Sequence, residues 1–230
     1  MSSPTEIKVM ATAAFKEAYL ELVPQFERAS GHKVTTTWAG SIDIINRVKA
    51  GAATDLIVMA ANAIDELIAA GKLAQGSRID VATSWVAVAV RKGAPKPDIS
   101  SGDALKRALL AAKSIAYSTG PSGVYLIGLF QRMGIAAQLQ SKVKQIKGEP
   151  VGAVVARGEA EIGFQQMSEL LPVPGIDIVG GLSKDIKQIT VFSTGRHVNT
   201  QVADAANALT QFFKAPAAHT IIRAKGMEPA

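Results

Sequence analysis

The chain has 230 residues, 48% of them hydrophobic and 19% charged, with a formal net charge of +6. That is enough for a well-buried core, built as one domain or as two lobes of about 100 residues each. The absence of cysteine excludes thiolate zinc sites, catalytic thiols and disulfide frameworks. Its 25 basic residues are scattered among 19 acidic ones, with 2 Trp, 3 Tyr and 7 Phe. This composition lacks the basic stripe with stacking aromatics that a nucleic-acid binder carries, so no nucleic-acid partner is expected, whereas mild positive charge suits a small anionic ligand.

In chain order, "EIKVMA" reads as a short apolar strand and "FKEAYLELVPQFERAS" as an amphipathic helix. Phe15, Tyr19, Leu22, Val23 and Phe26 share one face of that helix despite Pro24, and Gly31 stops it. "HKVTTTWA" is a strand, "SIDIINRVKAG" a helix, "TDLIVMA" a strand and "AIDELIAAGKL" a helix. A strand–helix alternation of this kind builds a mostly parallel sheet covered by helices. The rhythm then changes. "SWVAVAVRKG" is a strand, followed by the Pro-rich turn "APKPDISS" and the helix "GDALKRALLAAK". "SIAYS" is a strand, "SGVYLIGLFQRMG" a helix, "SKVKQIKG" a strand and "PVGAVVARGE" a short helix. "AEIGFQQ", "PVPGIDIVGGL" and "QITVFSTGR" supply further strands, and the closing segment reads as two helices.

The expected fold class is therefore α/β, as two lobes with mixed, mostly parallel sheets and helices on both faces. Residues 1–82 with 190–230 would form one lobe and residues 83–189 the other. Chain crossings near Thr83 and Thr190 would leave a cleft between them. The longest apolar run, near "LIVMAANAI", stops at Asp65, so the protein is not expected to be membrane-inserted. "MSSPTEIKVM" has neither a basic n-region nor a long apolar h-region. The expectation is a mature periplasmic chain, or a cytoplasmic one if Met1 is the native start.

Ligands of open α/β sheets bind where strands lead into helices, and five such junctions here are rich in small or hydroxyl residues. They hold Thr12, Ala13 and Ala14; Gly40 and Ser41; Ser118, Thr119, Ser122 and Gly123, with Tyr125 in the helix; Val151 and Gly152; and Gln165 and Gln166. Free N–H groups and the positive dipole end of a helix hold an anion without Lys or Arg. For any one junction the simpler reading is that its Ser or Thr caps the helix. "STGPSG" lacks the lysine of a phosphate loop, and no dinucleotide fingerprint, GxSxG elbow or HExxH pair is present. No cofactor and no metal are expected, and His32, His197 and His219 read as surface polar residues.

At these junctions the sequence resembles the type II periplasmic solute-binding proteins, in the molybdate-binding branch. The resemblance rests on "IKVMATAAFKEAYLELVPQFERASGHKVTTTWAGS", "RVKAGAATDLIVMA" and "VVARGEAEIGFQQ". It implies ligand contacts at Thr12 to Ala14, Ser41, the Ser118–Gly123 turn, Val151 and the segment after Phe164, together with the membrane subunits of an ABC importer as partners and a monomeric state. The branch usually carries a serine pair where this chain has Ala13-Ala14, and a tyrosine near Gln165-Gln166. "GFQQMSELLPVPGID" and "VAVRKGAPKPDIS" look like the subgroup that includes aconitate isomerase. Fewer hydroxyl donors and two amides suit an organic carboxylate better than a molybdate-type oxyanion.

Two functions remain open. A solute-binding protein needs only the anion cage, and this reading is preferred. An isomerase of a small unsaturated polycarboxylic acid also needs a base; Glu169, Lys16 and Asp43 are the candidates, although each reads most simply as a solvated helix residue. Lys16 and Arg196 are candidate cations for the carboxylates.

Overall fold

The computed structural model describes residues 4–230. These divide into two units, one running up to Ser84 and including Thr190–Ala230, the other Trp85–Ile189.

In the first unit, β1 (Glu6–Ala11) lies between β2 (Lys33–Trp38) and β3 (Leu56–Ala60), parallel to both. Alternation in these strands separates two cores. Ile7, Val9, Ala11, Leu56, Val58 and Ala60 face one, while Met10, Ile57 and Met59 face the other. Helix α1 (Lys16–Ser30) buries Ala18, Tyr19, Leu22, Val23 and Phe26 in the first core. A short 3-10 turn, Ala13–Phe15, leads into it, where the sequence reading had the helix begin at Phe15. It ends as expected, on Gly31 with φ 77, a left-handed position that a residue with a Cβ occupies only at a cost. Helices α2 (Ser41–Lys49) and α3 (Ala61–Ala69) cover the second core through Ile44, Val48, Ile64 and Leu67.

β4 (Ile79–Arg91) starts five residues before the expected "SWVAVAVRKG" and carries the chain from the first unit into the second. The missed stretch "IDVAT" breaks alternation at Val81-Ala82, the only two residues buried in it, so its apolar signal is weak. The second unit continues with α4 (Gly102–Ala111), β5 (Ile115–Ser118), α5 (Pro121–Arg132) and the four-residue α6 (Ala136–Leu139). It closes with β6 (Val143–Ile146), α7 (Val151–Ala156), β7 (Ile162–Gln166), the four-residue α8 (Met167–Leu170) and β8 (Ile176–Gly181). Sequence reading missed α6 and α8; one turn of helix is too short to display a period. Strand order here is β4–β7–β5–β6. β5 is parallel to β6 and β7, and β7 is antiparallel to β4. Ile115, Tyr117, Ile162 and Phe164 pack under α4 and α5, while Ala116 faces α7.

The chain returns through β9 (Ile189–Arg196), antiparallel to β3. Helices α9 (Ala203–Lys214) and α10 (Pro216–Ala224) then add Leu209, Phe213 and Ile222 to the first core, and β10 (Glu228–Pro229) pairs with β4. Two histidines depart from expectation. His32 is buried and stacks at 6.0 Å on Phe26, and His197 is buried beside Leu73. Burial, partly offset by Asp55, lowers the pKa of His197.

Candidate functional site

In the first unit the register Ala11↔Trp38 sets the ends of β1 and β2 side by side. The turns that follow therefore leave the same sheet edge together. Thr12 is extended at φ −90 and ψ 157, and its N–H donates to the Val58 carbonyl at 3.0 Å. Its hydroxyl is buried with no hydrogen-bond partner and does not cap the 3-10 turn. Ala13 is exposed and Ala14 buried. Gly40 occupies the N-cap of α2 and Ser41 the first helical position, again without a side-chain cap. Lys16 sits in the first turn of α1 with its Nζ 5.5 Å from the centre of the Trp38 ring. A cation is disfavoured at the positive end of a helix; the ring face holds it there by cation–π attraction. Trp38 was not singled out from sequence, although its place in "TTTWAGS", two residues before the Gly-Ser turn, marked it. Asp43 is committed to Arg47 on the exposed face of α2, at 2.8 Å. Arg196 belongs to β9 and has a buried Nε without a partner.

In the second unit β5 ends on Ser118, whose hydroxyl accepts the Gly120 N–H at 3.2 Å and lies 3.0 Å from the Ser122 hydroxyl. Both serines are buried, and Thr119 is partly exposed. Gly123 has no room for a side chain, since a Cβ there would lie 1.7 Å from the Ser118 carbonyl oxygen. The Tyr125 hydroxyl donates to the Ile186 carbonyl at 2.5 Å, and the Arg132 guanidinium covers its ring. Tyr125 therefore supports the wall of this unit with its hydroxyl already committed.

Val151, Gln165 and Glu169 form one chain of contacts. The Val151 N–H donates to Gln165 Oε1 at 2.8 Å, and Gln165 Nε2 donates to Glu169 Oε1 at 2.9 Å. Gly152 lies against Val173, and Gln166 is fully buried on β7. The Ser168 hydroxyl, one residue before Glu169, is buried without a partner. Glu169 keeps some exposed surface, yet desolvation pushes its carboxyl up to about 7, opposed by hydrogen bonds from the Gln165 side chain and the Gln166 backbone. It is thus not the solvated helix residue of the simplest sequence reading. Charge on this group is costly, and a carboxyl poised near neutrality both takes up and releases protons. Among the described residues no three His, Asp or Glu side chains group to hold a metal ion, and no helix is long and apolar enough to cross a membrane.

Strand ends that feed helix starts without side-chain caps recur in both units, and the α/β fold is that of the type II periplasmic binding proteins. The chain belongs to the bacterial extracellular solute-binding protein family, whose pattern matches residues 7–228, and lies in its molybdate-binding-like branch. It is 42% identical over 231 residues to an aconitate isomerase from a Pseudomonas species, covering 98% of this chain and 88% of that protein. It is 28% identical to the molybdate-binding protein ModA of Azotobacter vinelandii, covering 96% and 89%. Among solved structures, the periplasmic molybdate-binding protein of Azotobacter vinelandii superimposes with a TM-score of 0.79 at 21% identity, over 96% of this chain and 98% of the other. The sulfate-binding protein SubI of Mycobacterium tuberculosis gives 0.79 at 17% identity, over 98% and 87%.

Proposed function

We propose that this solute-binding fold acts as an isomerase of a small unsaturated polycarboxylic acid such as aconitate. The observation that carries this reading is Glu169 on α8, just after β7, a carboxyl held 2.9 Å from the Gln165 amide and pushed up to about 7 by burial. A simple anion cage has no use for such a group, because an ionisable acid beside an anionic ligand repels it once deprotonated. Proton transfer does use it. The Glu169 carboxylate takes a proton from the methylene carbon next to a carboxylate. The C–H electron pair becomes a new C=C bond, and the pair of the old double bond takes the same proton at the far carbon. Nothing is oxidised or reduced, and Glu169 returns to its starting state. Rotation about the delocalised intermediate before the proton returns would exchange cis and trans geometry. The 42% identity to an aconitate isomerase supports the same assignment. Membership of the family favours an extracellular or periplasmic location.

One-dimensional proton NMR of cis-aconitate and of trans-aconitate, each with catalytic amounts of protein, tests the reading. New vinyl signals from the other isomer are expected, and Glu169→Gln should slow their appearance by at least about 100-fold while still binding substrate. Line broadening without product would overturn the reading. It would leave the second one, a carboxylate-binding protein that hands its ligand to an ABC importer. That reading has its own support in the uncapped helix starts and the unpartnered Thr12 hydroxyl, which need only a ligand. Full turnover by Glu169→Gln would remove Glu169 as the base.

A further inference from the structure

Gln165 was expected among the ligand contacts, but both of its amide heavy atoms are engaged inside the second unit. Its Oε1 faces the Val151 N–H, the first amide of α7. A backbone N–H only donates, so this contact fixes the amide orientation: flipping it would set N–H against N–H. With the oxygen committed to Val151, the NH2 end must point at Glu169, where it lies 2.9 Å from Oε1. An oxygen that accepts this N–H cannot at the same time direct a proton toward it. The orientation of Val151 is therefore passed through Gln165 to the carboxyl of Glu169.

We propose that Gln165 is a positioning residue, which holds Glu169 in one rotamer, with Oε1 turned to its amide, for the proton transfer that Glu169 carries out. The proposal deepens the isomerase reading and rests on it for the meaning of that proton. Gln165 is 5% exposed, so its amide does not exchange these partners freely with water and the orientation is held between turnovers. Neither β7 nor α7 carries a titratable side chain, and no ionised neighbour contributes to the shift at Glu169. The Gln165 amide and the Gln166 backbone N–H are what favour the carboxylate against burial. Removing the first should leave Glu169 harder to ionise and free to turn.

The test follows Glu169 directly, by carbon-13 NMR of carboxyl-labelled glutamate, with the Glu169 signal assigned by its loss in Glu169→Gln. In Gln165→Met, similar in length but unable to donate, the titration midpoint of Glu169 should rise by about one pH unit. The acid limb of kcat for trans-aconitate should move by the same amount, with KM changed less than about twofold. Gln165→Glu keeps an acceptor for Val151 but presents an anion to Glu169, and should raise the midpoint further. It carries the test if the Met variant does not fold. Val151→Pro removes the orienting N–H at a helix position that tolerates proline, along with a buried valine side chain, and should give a smaller rise. A midpoint unmoved in the Gln165 variants, or a loss of kcat equal at all pH values, would overturn the proposal. An unmoved midpoint in Val151→Pro would overturn the part assigned to Val151. If the protein turns over no aconitate yet the midpoints shift as stated, the clamp on Glu169 stands and the isomerase reading fails.

Discussion

The junctions of the two units use similar residues in opposite ways. Around β1 and β2, the Thr12 hydroxyl is unpartnered and Lys16 rests on an aromatic face. Around β5 and β7, Ser118 is bonded to Ser122 and Gly120, Gln165 to Val151 and Glu169, and Tyr125 to Ile186. Open donors attract a charge from outside, whereas a closed network fixes the geometry and the proton affinity of a group it contains. The second unit holds the titrating acid, Glu169, inside such a network.

The largest effect should come from the packed turn of the second unit. Gly123→Ala drives a Cβ into the Ser118 carbonyl and should cost about 3 kcal/mol in denaturant unfolding. In contrast, Gly40→Ala in the first unit meets nothing within 4 Å and should cost under about 1 kcal/mol. Equal losses would break the contrast.

Glu169 comes next. Its carboxyl is held up to about 7 in the folded state, above the ordinary value of an unfolded glutamate, about 4.3. The folded protein thus binds the proton more tightly, and the stabilisation from this site is complete below that ordinary value and is lost as pH rises through about 7. Glu169→Gln lacks this loss, so above pH 8 it should gain about 3 kcal/mol on the wild type relative to their difference at pH 4. Urea unfolding across pH checks this, and parallel curves would contradict it.

Thr12→Val removes a buried hydroxyl that has no partner in the ligand-free fold. It should raise stability by about 1 kcal/mol while weakening tricarboxylate binding about tenfold by calorimetry. A variant that is less stable and binds equally well would show the hydroxyl to be structural. The smallest effect separates a capping serine from an uncapping one. Ser101 caps α4 by accepting the Ala104 N–H at 3.1 Å, so Ser101→Ala should lower the melting free energy by about 1 kcal/mol. Ser41 accepts no such bond, and Ser41→Ala should lower it by less than about 0.5 kcal/mol.

Much of the fold was legible in the sequence because burial has a period. Leu56 to Ala60, buried throughout, could only be a strand covered on both faces, and the face of α1 follows from Tyr19, Leu22, Val23 and Phe26. The polar start of β4 and the single-turn helices α6 and α8 have no such period and went unread. The hydroxyl-rich turns were visible as turns. Whether each hydroxyl capped its own helix was not, because Ser and Thr look alike in both roles. Ser101 caps while Thr12 does not, and only the backbone geometry separates them.

By itself the sequence determined the order of strands and helices, the places where small and hydroxyl residues meet helix starts, and the absence of thiol chemistry. These are local, written in periodicity and residue type within a few positions of one another. Only the tertiary structure decided that Gln165 faces Val151, 14 residues away, and that Glu169 ends where desolvation outweighs its hydrogen bonds. Desolvation and hydrogen-bond direction depend on which elements pack around a group, and packing is not a property of any short stretch of chain.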